Sequence, residues 1–259
     1  MGILNVTPDS FFDGGKYCGE RQQLEHTEKM LSEGADIIDI GGYSTRPGMA
    51  AVSQEEEIGR LAPAIRAIKR HFPLSVISID TFNANVAKRC IDEGADIIND
   101  ISGGQFDPEM LSFVAEYKVP YILMHTTGTL ETLHKEEIIT SDSRGKVKAF
   151  FEKQYDILKS LGNTDIALDP GIGFGKSLEC NYELLTGIED VRIHDCPVLI
   201  GISHKSLIFK PLGITPHESI NGTTVLNTIA LLHGADILRV HDVREAVEAV
   251  KLVGLSRGK

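Results

Sequence analysis

The chain of 259 residues carries 42% hydrophobic residues and a formal net charge of -11. This size suits one α/β barrel or two smaller domains, and the acidic balance argues against a broad nucleic-acid or anionic-membrane surface, which needs spread positive charge. Cys18, Cys90, Cys180 and Cys196 form no CxxC pair, and no apolar run approaches the roughly 20 residues of a membrane span. The expected compartment is a reducing cytoplasm.

The first predicted element is the apolar run that stops at Asn5 and breaks into Thr7, Pro8, Asp9, Ser10 and Phe11. Because the chain begins directly on this strand, a short preceding segment is expected to be missing. The clearest internal signal follows: GADIIDI from Gly34, GADIIND from Gly94 and GADILRV from Gly234. In each phrase the glycine suits the left-handed position that ends a helix, and the β-branched run after it suits a buried strand. Further strands are predicted at 75–80, 121–125, 166–169 and 198–202, making eight. Helical periodicity occupies 22–32, 54–71, 83–92, 108–117, 145–161, 178–189, 219–232 and 243–252. The polar stretch 126–143 reads as an extended loop. Strand and helix alternate without a linker, so residues 1–259 are expected to form a single (β/α)8 TIM barrel rather than a doubly wound sheet.

Parallel barrel strands direct their C-terminal ends to one face, which makes distant residues neighbours. There, Asp80, Asn99 and Asp169 present acceptors and an amide suited to a flat heterocycle with several N–H donors, such as an aminopyrimidinone. Any one of these aspartates could instead cap a helix or join an ion pair. Arg46, Arg239 and His241 end the second and eighth strands, which flank Asn5 in a closed barrel. With the Thr45 hydroxyl and the Asn5 amide oxygen they form a cradle for a multiply charged anion with Mg²⁺. The competing use of Arg239 is an ion pair with a neighbour such as Asp242.

The segment DPGIGFGKS from Asp169 lacks the first glycine of a Walker A loop, where Pro170 stands, and it contains no GxGxxG. Its glycines suit a tight turn that offers Phe174 to an aromatic ligand. Lys205, between His204 and Ser206, fits a hydrogen-bond donor better than a Schiff-base nucleophile, which usually lies within an apolar strand. His125, His204 and His241 show no metal spacing.

These motifs, in this order and across essentially the whole chain, closely resemble the dihydropteroate synthase family. The resemblance rests on MGILNVTPDSFFDGG from Met1, GGYSTRPG from Gly41, residues 79–81 and 98–103, Met124 with His125, residues 169–176, SHKS from Ser203 and residues 239–243. It implies a homodimeric, Mg²⁺-assisted, sulfonamide-targeted transferase of folate biosynthesis. Its substrates would be 6-hydroxymethyl-7,8-dihydropterin pyrophosphate and para-aminobenzoate. Carried over by motif, Asp80, Asn99, Met124, Asp169 and Lys205 bind the pterin. Asn5, Thr45, Arg46, Arg239 and His241 hold pyrophosphate, with Asn5 on the metal. Phe11, Pro47, Phe174, Ser203 and Lys205 shape the aminobenzoate pocket.

The implied mechanism breaks the C–O bond first, and Asp9 or Asp13 faces the developing pterin methyl cation while Arg46, Lys205, Arg239 and His241 assist. His204 stands where the family has Arg, and Tyr43 where Glu is common. Three other readings compete: a corrinoid-linked methyltetrahydrofolate methyltransferase, which needs no pyrophosphate cradle; a non-catalytic pterin-binding paralogue; and a phosphate-binding barrel with Lys205 as a Schiff base.

Overall fold

A computed structural model describes residues 1–6, 18–43, 52–129, 132 and 139–258. In chain order the elements are β1 (Gly2–Asn5), α1 (Cys18–Ser32), β2 (Ile37–Gly41), α2 (Gln54–His71), β3 (Val76–Asp80), α3 (Ala84–Asp92), β4 (Ile97–Asp100) and α4 (Met110–Tyr117). They continue as β5 (Tyr121–Met124), α5 (Ser143–Ser160), β6 (Ile166–Asp169), α6 (Leu178–Thr186), α7 (Ile188–Val191), β7 (Leu199–Ile200) and α8 (Ser206–Leu212). A 3-10 turn (Pro216–Ser219), α9 (Ile220–Leu232), β8 (Ile237–Leu238) and α10 (Val243–Ser256) complete the chain.

Six strands, β1 to β6, form one parallel sheet, and β7 pairs with β8. Two single bridges join these pieces into a ring: Leu168 with Val198, and Gly2 with Val240. At the second seam Ile3 N–H donates to Val240 O at 2.9 Å and Val240 N–H to Met1 O at 3.0 Å. The eight-stranded barrel expected from the alternation therefore closes.

Register decides what faces the lumen. Ile38 pairs with Ile77 and Ile40 with Ile79, while Asp39 pairs with Ser78 and Gly41 with Asp80. Since side chains alternate along a strand, Ile38, Ile40, Ile77, Ile79 and Ile98 lie on one face. They pack in a single core with Leu61, Ile65 and Ile68 of α2. The opposite, inward face carries Asp39, Asp80 and Asn99.

Local signals explain the helices. In α2, Ser53 caps by accepting from Glu56 N–H at 3.2 Å, and acidic residues fill its first turn and basic residues its last, complementing the helix dipole. Gly34, Gly94 and Gly234, which open the three repeats, have φ of 100°, 106° and 102°. Two of the repeats' third residues tie the start of the strand that follows to the neighbouring earlier strand: Asp96 accepts from Ile77 N–H and Asp236 from Val198 N–H, each at 2.8 Å.

Two expectations need correction. The helix predicted over 178–189 is divided into α6 and α7 at Gly187, whose N–H turns back to Leu184 O at 3.3 Å. The α8 helix and the 3-10 turn were not predicted; both are short, and each contains a proline.

Candidate active site

The sixth residue of each repeat is Asp39, Asn99 or Arg239, and the barrel brings all three into one hydrogen-bonded group. Arg239 Nε donates to Asp39 Oδ2 at 2.6 Å, and its Nη2 donates to Asp80 Oδ2 at 2.6 Å. Asn99 Nδ2 donates to the same Asp39 carboxylate at 3.2 Å. Asp39 is fully buried. It was absent from the sequence-derived site, although its place in the repeat was a usable signal.

The position of Arg239 is a finding in its own right. Neither Asp242 nor Asn5 is its partner; it spans the lumen to two carboxylates on β2 and β3. A guanidinium and carboxylates withdrawn from water need one another, because an unpaired buried charge is costly. Two of its five N–H donors are used in this way among the described residues. Burial, opposed by Arg239 and reinforced by Asp39, lifts the Asp80 carboxyl to about 7.

Asp169, at the end of β6, fixes the following turn by accepting from Gly171 N–H at 2.7 Å. Among the described residues, Asp169 Oδ2 and Asp80 Oδ1 accept no side-chain or backbone hydrogen bond. Burial raises the Asp169 carboxyl against the pull of Lys205. Conversely, burial lowers the Lys205 ammonium to about 8, with Asp169 resisting the change. Lys205 Nζ donates to Ile172 O at 2.6 Å and lies 4.5 Å from the centre of the Phe174 ring. Asp100, beside Asn99, has a structural use instead. It accepts from Tyr121 Oη at 2.6 Å, from Ser102 Oγ at 2.7 Å and from Gly104 N–H at 2.8 Å.

One wall of this region is apolar. Met124, Ile101 and Phe174 form a small cluster separate from the main core, with Phe82 and Phe106 against it. Phe82 meets both Phe106 and Tyr43 edge to face, at 5.6 and 5.7 Å. Phe82, Phe106 and Ile101 were missed because nothing in periodicity distinguishes a ligand wall from core. Behind this wall, buried Lys176 donates to Gly171 O, Phe174 O and His125 O at 2.8, 3.1 and 3.3 Å. That shapes the DPGIGFGK turn as a protein scaffold rather than a phosphate loop.

On the other side of Lys205, Ser203 Oγ accepts from His241 N–H at 3.2 Å and lies 3.0 Å from its Nδ1. Thus residues assigned separately to an aminobenzoate pocket and a pyrophosphate cradle are in contact. Asn5 ends β1, with its Oδ1 3.4 Å from where a Cβ on Gly41 would lie, so the glycine leaves space beside it. Asn5 thus presents an amide oxygen at this end of the barrel, while Asp39 and Asp80 are paired with Arg239. Asp9, Phe11, Asp13, Thr45, Arg46 and Pro47 lie outside the described residues.

Comparison with known proteins identifies the family. Residues 1–241 match the family model described as pterin binding enzyme. The chain is 43% identical over 258 residues to the dihydropteroate synthase of Clostridium beijerinckii, covering 98% of this chain and 93% of the relative. The structure of Yersinia pestis dihydropteroate synthase with a sulfonamide drug complex superposes with a TM-score of 0.91 at 39% identity, covering 100% of this chain and 94% of that one. Burkholderia cenocepacia dihydropteroate synthase complexed with 7,8-dihydropteroate gives a TM-score of 0.88 at 33% identity, with 99% and 90% covered.

Proposed function

As the chain belongs to the dihydropteroate synthase family of pterin-binding enzymes, we propose that the lumen group of Asp39, Asp80, Asn99, Asp169 and Arg239 holds the pterin of its pyrophosphate substrate. The protein is a transferase of folate biosynthesis that joins this pterin to para-aminobenzoate, giving 7,8-dihydropteroate and pyrophosphate. The observation that carries the site assignment is the pair of unengaged carboxylate oxygens, on Asp80 and Asp169, beside an anchored Asn99. A pterin edge supplies N–H donors to acceptors of this kind. Met124 and the aromatic wall cover one face of the ring, and Lys205 donates to a ring acceptor.

Bond breaking is dissociative in this reading. The C–O bond to pyrophosphate breaks with both electrons leaving on the pyrophosphate oxygen; the neutral aniline nitrogen then attacks the pterin methyl cation, and the resulting anilinium loses its extra proton to water or to the departing pyrophosphate. The remaining donors of Arg239, together with His241, Thr45 and Arg46, stabilise charge developing on the leaving group. Asp9 or Asp13 faces the developing cation. Mg²⁺ would be held by Asn5 with most of its waters retained, and it supplies charge neutralisation for the pyrophosphate. Phe11, Pro47, Phe174, Ser203 and Lys205 frame the aminobenzoate, where sulfonamides compete.

The functional unit is a homodimer in the cytoplasm. Exposed Leu232 on α9 and exposed Leu252 and Leu255 on α10, two helices packed together, support the first statement. Buried free thiols at Cys90, Cys180 and Cys196 support the second. No helix among the described residues is long and apolar enough to cross a membrane.

The test mixes purified protein with the pterin pyrophosphate, para-aminobenzoate and Mg²⁺ and follows dihydropteroate and pyrophosphate together. Equal yields of both are expected. Tight pterin binding without either product would make the protein a binding paralogue.

A further inference from the structure

Backbone pairing between β7 and β8 is only two residues deep, Leu199 with Ile237 and Ile200 with Leu238. Beyond it, side chains continue the ladder at the same offset of 38 positions, with Ser203 against His241 and His204 against Asp242. The first rung lies in the site. The second is formed by His204, the residue that departs from the family's Arg.

The surroundings of His204 identify its form. Its Nε2 is 2.7 Å from Asp242 Oδ2, and its Nδ1 is 2.7 Å from Pro216 O and 2.9 Å from Ser219 Oγ. A carbonyl oxygen can only accept, so Nδ1 must carry a proton. Ser219 Oγ already donates to Pro216 O at 2.6 Å, which leaves its lone pairs for Nδ1–H. Both ring nitrogens are therefore engaged, Nδ1 by the Pro216 carbonyl and Nε2 by the Asp242 carboxyl group. The backbone has φ of 55°, a conformation disfavoured for residues other than glycine; the His204 N–H is held by Thr223 Oγ1 at 3.3 Å.

We propose that His204 is a positioning residue, a hydrogen-bonded clasp that ties the turn carrying Ser203 and Lys205 to the start of α10. By doing so it sets the width of the aminobenzoate side of the site. Among the described residues, the titratable groups in contact with it are Asp242 and the His241 ring, whose centre is 5.6 Å away; the 3-10 turn, which also carries His217 and Glu218, and α9 meet it through the uncharged Pro216 O, Ser219 and Thr223. The inference rests on the synthase reading for its substrate and on geometry alone for the clasp.

Two measurements separate these. In steady-state assays, His204→Ala and Asp242→Asn should each raise KM for para-aminobenzoate by about tenfold, the loss of one charge-assisted hydrogen bond. KM for the pterin pyrophosphate should stay within about twofold. His204→Arg, whose guanidinium reaches both acceptors, should restore the first value. Equal rises in both KM values, or no rescue by Arg, overturn the positioning role. Independently, ¹⁵N spectra of histidine-labelled wild type, assigned by the signal lost in His204→Arg, should show His204 Nδ1 bearing the proton that the Pro216 carbonyl accepts. A ring with no proton on Nδ1 overturns the clasp. Failure of the wild type to form dihydropteroate would instead remove the synthase reading and the aminobenzoate role with it, while the spectra still decide the clasp.

Discussion

Arg239 shows how one side chain acquires two duties. Its guanidinium neutralises Asp39 and Asp80 within the barrel, and its other donors are available to the leaving group. Arg239→Ala should therefore lower both stability and turnover, the latter by about 10- to 100-fold if one charge-assisted bond to pyrophosphate is lost. Asp80→Ala should instead weaken pterin binding, measured by calorimetry, with the larger effect on Kd. Unchanged turnover in Arg239→Ala would remove the guanidinium from the mechanism. His125 is a second informative residue: it is buried, its Nδ1 has no hydrogen-bond partner among the described residues, and burial together with nearby Lys176 depresses it to about 3 from an ordinary 6.5. Between these values the unfolded chain binds a proton that the folded protein does not. Its stabilising contribution is thus complete above 6.5 and is lost as pH falls towards 3, by up to about 1.4 kcal/mol per pH unit. Urea midpoints should fall more steeply below pH 6.5 in wild type than in His125→Asn; parallel curves would show that the ring protonates in the folded state.

At the scale of elements, the helix-to-strand joints were legible because each carries agreeing signals. The repeats combine a left-handed glycine with a β-branched run, and two of them add an aspartate that accepts from the neighbouring strand. The helix α8 was not legible, since seven residues with an internal Pro211 offer too little periodicity to separate from a loop. The turn after β6 was recognised as a tight turn, but its cause lies in contacts. A Cβ on Gly171, where φ is 65°, would stand 1.9 Å from His125 O. Gly171→Ala should destabilise the protein by roughly 1–3 kcal/mol, read from urea unfolding. It should also raise KM for the pterin pyrophosphate, because the Gly171 N–H orients Asp169. A neutral outcome would mean that the turn adjusts without disturbing that carboxylate.

At the scale of the whole molecule, the exposed leucines of α9 and α10 lead to a prediction about assembly. Leu252 and Leu255 are 67% and 71% exposed, a cost that a partner surface would remove at about 25 cal/mol per Å² of apolar area. Sedimentation equilibrium should show a dimer for the wild type and a monomer for a Leu252→Glu, Leu255→Glu variant that remains folded. A dimer unaffected by both changes places the interface elsewhere. Strand number and order could be read from the sequence, because alternation and helix-end glycines are local properties of the chain. So could the family, and the gathering of Asp80, Asn99 and Asp169, since parallel strands place their ends together. The pairing inside the lumen could not. Arg239 meets Asp39 and Asp80 across 200 and 159 residues, and only the closure of β8 onto β1 brings them within reach. Burial then requires each charge to be answered by another, a condition set by tertiary structure and carried by no local pattern.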